Sequence, residues 1–135
     1  MIRGAQLAGV ELELRGPSLT AAEREERRRL ERLAPVGEPV PRAEVPALFR
    51  RNDVLVNNMR AGATDKVVYE ACASCVPAIA SNPAFDTLLD PELRFEREDA
   101  QELAARLAAL GRRPAEERAD LGRRLRERVA AWHSV

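Results

Sequence analysis

The chain has one histidine, two cysteines, one lysine and no surplus of charge, and each scarcity removes a class of chemistry. His133 lies next to the C-terminal end, where it makes a poor general base and a poor partner for the distant cysteines. Cys72 and Cys75 have the spacing of a metal or redox pair, but a structural zinc site usually needs about four ligands. Both cysteines fall in an apolar stretch instead of framing loops, so they read as free thiols in a reduced, cytoplasmic setting. The 22 basic residues are offset by 22 acidic ones and the signs are interleaved, so nucleic-acid binding gets no support from charge. No apolar run approaches the roughly 20 residues of a membrane helix, and residues 1–6 hold no signal-peptide core. A protein without a transmembrane segment, peripheral to a membrane at most, is expected. Gly-rich dinucleotide, Walker and nucleophile-elbow motifs are also missing.

What is present reads as one α/β domain over residues 1–135. Residues 1–8 look like the tail of a helix ending at Gly9, as though the chain began inside a first helix. Alternation at 10–14 gives a strand with an exposed edge, closed by Gly16 and Pro17. Thr20 and Glu23 form a capping box for a charge-dense helix to about Ala34, whose glutamates and arginines pair at helical spacing on a solvated face. Next come a short strand at Val36 and a helix over 43–51, with Val45, Leu48 and Phe49 inward. Residues 53–57 and 77–81 have the near-continuous apolar character of buried parallel strands around a helix at 65–74, a β-α-β unit. Beyond it come a short helix at 84–89, a small strand at 93–95, and a helix capped by Asp99, striped with Leu103, Leu107 and Leu110 and ended by Gly111. The last helix starts at Pro114 and repeats Leu121, Leu125, Val129 and Trp132.

The stretch from Asn58 to Ser81 organises the rest. A strand ends, a loop holds Gly62, and Thr64 or Asp65 caps a helix with Lys66 in its first turn and Glu70 in its second. Ligands of parallel α/β sheets sit beyond the C-terminal strand ends. Asn57, Asn58, Gly62, Thr64, Lys66, Ser81 and Asn82 all fall at that edge, where helix N–H groups and an ammonium suit an anion such as phosphate. The competing account is a plain surface loop with polar caps.

Residues 45–56, 64–71 and 76–81 together resemble the C-terminal nucleotide-sugar-binding domain of retaining glycosyltransferases of the GT-B fold, the glycosyl transferases group 1 or family 4 type. The resemblance extends over about residues 9–130. It implies a Rossmann-like parallel sheet flanked by helices, corresponding to an incomplete C-terminal half of that fold. In this family a helix bears two glutamates separated by seven residues, and the second hydrogen-bonds the donor ribose; Glu70 matches that second glutamate. The resemblance further places Ala63, Thr64, Asp65 and Lys66 near the diphosphate or donor sugar, and Val45 near the nucleobase. It implies a nucleoside-diphosphate sugar as donor substrate, no resident cofactor or metal, and no assigned catalytic residue.

Departures from the family pattern narrow the resemblance. Gly62 stands where the first glutamate belongs, so no carboxylate is available there for the donor sugar. Cys75 stands where these proteins usually have glycine after the helix, a substitution costing about 1 kcal/mol if the backbone is left-handed. Nothing corresponds to the acceptor domain or to the basic pair that grips the diphosphate. The expected behaviour is weak nucleotide binding with little or no transfer by the chain alone, and a separate acceptor-domain chain is a candidate partner. A non-catalytic interaction module or degenerate remnant, using the 10–14 edge, is the alternative. A receiver- or phosphatase-type phosphate binder is disfavoured because Asp53 begins its strand.

Overall fold

The computed structural model describes residues 4, 7–9, 14–15, 21, 24–25, 28, 32, 36–37, 41–58 and 66–133. Two parallel ladders are found among them. β1 (Leu14–Arg15) pairs with β2 (Val36–Gly37), and β3 (Leu55–Asn57) pairs with β4 (Ala78–Ala80). Positions 4, 7 and 8 are helical, and Gly9 follows at φ +69°. Most of the anticipated 10–14 strand and most of the 20–34 helix lie outside the described residues. Positions 21, 24, 25 and 28 are helical, with Glu25 and Arg28 paired at 2.6 Å.

The β-α-β unit is the centre of the fold. α1 (Val45–Arg50) precedes β3, and α2 (Val67–Ala73) connects β3 to β4. Leu55, Val56 and Asn57 face Ala78, Ile79 and Ala80 in register, and Ala78 to Ala80 are all buried. Small and branched apolar residues on β4 suit a strand covered on both faces, as the sequence required. Helices that run back against the strands put the N-termini of α1 and α2 on the side of the C-terminal strand ends.

Several boundaries differ from the sequence reading, each for a local reason. The strand expected at 93–95 is one parallel bridge between Ala80 and Arg94, because residues on either side are taken up by the turn Pro91–Leu93 and by turns at 96–99. The segment at 84–89 is a short 3-10 turn (Pro83–Phe85) followed by further turns, since Asn82 spends its side chain accepting from Ala84 N–H at 3.0 Å. α3 (Ala100–Arg112) runs through Gly111; the extended Arg113 before Pro114 ends it. α3 keeps the expected cap, Asp99 accepting from Glu102 N–H at 2.9 Å, and buries Leu103, Leu107 and Leu110.

α4 (Ala115–His133) closes the core with Leu121, Leu125 and Val129 buried. Its Arg128 donates to the Leu88 carbonyl at 2.8 Å and to Asp90 at 3.1 Å, and Arg113 pairs with Glu92 at 3.2 Å. α4 also crosses the end of α2 so closely that a Cβ on Gly122 would lie 2.2 Å from the Cys75 carbonyl oxygen.

α2 ends in a Schellman motif. Val76 N–H reaches the Ala71 carbonyl at 2.9 Å and Cys75 N–H the Cys72 carbonyl at 3.0 Å, with Cys75 at φ +62°. The left-handed residue is thus a cysteine in the place that favours glycine. Cys75→Gly is expected to raise stability by about 0.5–1 kcal/mol, read as a higher denaturant midpoint at unchanged m-value.

Candidate functional site

Of the residues singled out from sequence, Asn57, Asn58, Ser81 and Asn82 are found at the C-terminal ends of β3 and β4. Val45 is half-buried at the first position of α1 and packs on a cluster made by Phe49, Ala71 and Val76. Ala71 is the residue after Glu70, so α1 is seated directly against the helix that presents Glu70. Glu70 is half-buried near the start of α2, and its N–H donates to the Lys66 carbonyl at 3.0 Å. Neighbouring Tyr69 turns to the core instead, edge-on to Phe85 at 5.2 Å between ring centroids.

Lys66 is exposed and occupies the N-cap of α2, one step before the first helical turn in which it was expected. No side chain caps α2 there, and the helix is only seven residues long. Its dipole is therefore a smaller attraction for an anion than the sequence suggested. Gly62, Ala63, Thr64 and Asp65 lie outside the described residues, so the expected Thr64 or Asp65 cap does too.

Other edge residues turn out to be pins. Asn82 is 1% exposed and holds the turn after β4. Ser81 gives both its N–H, at 2.9 Å, and its hydroxyl, at 3.3 Å, to the carbonyl of buried Asn57. Asn58 binds Glu98, a residue to which no sequence signal pointed: its Nδ2 donates to Glu98 Oε1 at 3.1 Å and its Oδ1 accepts from Glu98 N–H at 3.2 Å.

The cysteine pair has divided duties. Cys72 is fully buried in the core, and burial pushes its thiol from 9.0 up to about 12, against smaller opposing effects of a backbone hydrogen bond at Ala78 and the Arg128 charge. The folded state thus retains a proton that the unfolded chain loses. Stability from this group is complete below pH 9.0 and is expected to fall as pH rises from there toward 12. Iodoacetamide at neutral pH should label half-exposed Cys75 and spare Cys72 until the chain unfolds, as peptide mapping would show. Labelling of Cys72 at the Cys75 rate would contradict its burial.

Among the described residues no helix is long and apolar enough to cross a membrane, and no three metal-binding side chains are clustered. No curated protein matches the chain at a significant level. The family model described as glycosyl transferase-like matches residues 2–135, in keeping with the parallel β-α-β unit and the helices packed on it. The chain is a mixed α/β, Rossmann-like glycosyltransferase domain and belongs to the glycosyl transferase-like family.

Proposed function

We propose that this domain binds a nucleoside-diphosphate sugar, the donor for retaining glycosyl transfer. Membership of the family supports a sugar donor as substrate. The observation that carries the finer reading is the packing of Val45 on the cluster of Phe49, Ala71 and Val76, an apolar surface that includes the neighbour of Glu70 on α2. In this reading the nucleobase lies by Val45, and the Glu70 carboxylate accepts hydrogen bonds from two ribose hydroxyls. Ala63, Thr64, Asp65 and Lys66 face the diphosphate or donor sugar. The ammonium of Lys66 favours the negative charge that develops as the diphosphate leaves. Gly62 supplies no carboxylate, so orientation of the sugar falls to other groups, including those of an acceptor-domain partner that completes the cleft and excludes water. The donor is a substrate, and this role calls for no resident cofactor or metal. A cytoplasmic setting, in which Cys72 and Cys75 stay as thiols, goes with it.

Calorimetric titration with UDP, GDP and ADP tests the reading. Weak binding of one of the three, with a clear preference over the other two, is expected. Null heats for all three would sink it.

A further inference from the structure

We draw no further inference here: the strongest candidate, the groove at the C-terminal end of β4 between Ser81, Asp86, Arg94, Glu96, Glu102 and Arg106, sets its two arginines against three carboxylates, and nothing in the structure shows what fills or covers it.

Discussion

Gly122→Ala should destabilise the fold by about 3 kcal/mol or more, lowering the melting temperature by roughly 10 °C. Inside a helix the same exchange ordinarily stabilises by about 1 kcal/mol, because alanine has less backbone freedom to lose. The sign reverses here because the added Cβ would stand 2.2 Å from the carbonyl oxygen of Cys75 and 3.0 Å from its carbonyl carbon. Both atoms are backbone, and that backbone is fixed by the Schellman bonds closing α2. No side chain can rotate away, so α4 has to lift from the core that Leu121 and Leu125 fill. Gly111→Ala provides the contrast, since a Cβ there meets nothing within 4 Å. That variant should gain about 0.5–1 kcal/mol. Urea unfolding of the two proteins beside wild type measures both signs, and equal stability of Gly122→Ala and wild type would contradict the close crossing.

The second large effect is on binding. Glu70→Ala removes a carboxylate proposed to accept two hydroxyl hydrogen bonds, and bonds to charged groups contribute about 1.5–3 kcal/mol each. Affinity for the preferred nucleoside diphosphate should therefore drop by about 100-fold or more. Glu70 is half-buried at the surface of α2, so stability should change little. A ribose contact has a sharper signature. The 2′-deoxy nucleotide should bind wild type more weakly than the parent, and Glu70→Ala should no longer distinguish the two. An unchanged preference for the ribonucleotide in Glu70→Ala would remove ribose from the role assigned to this residue.

The two parallel strands, amphipathic helices and the Asp99 cap were legible in the sequence because each depends on residues close together in the chain, although β4 is buried and β3 is only half-buried at Leu55 and Val56. The three leucines of α3 and the Leu121, Leu125 and Val129 series of α4 occupy the buried faces that their spacing implies. The resemblance in residues 45–81 also led to the family, and the glycine-like place of Cys75 was readable from it. Boundaries were less accessible. Lys66 fell one step outside its helix, and Gly111, a usual helix stop, lies inside α3, which ends where Arg113 becomes extended before Pro114.

Within the candidate site, sequence distinguished the polar residues of the sheet edge but not their tasks. Asn57, Ser81 and Asn82 fell at the edge where a ligand would sit; in the structure the Ser81 and Asn82 side chains bond backbone groups there, and Asn57 accepts from Ser81 through its main-chain carbonyl. Glu98 looked like an ordinary surface charge and is the partner of Asn58. Local periodicity, capping and turn chemistry act over a few residues, so the chain by itself determined its helices and its parallel strands, while the candidacy of Glu70 came from the family resemblance. Which polar group serves the backbone, why Gly122 admits no side chain and how Glu98 meets Asn58 are settled by contacts between segments far apart in sequence, and those distances exist only once the chain has packed.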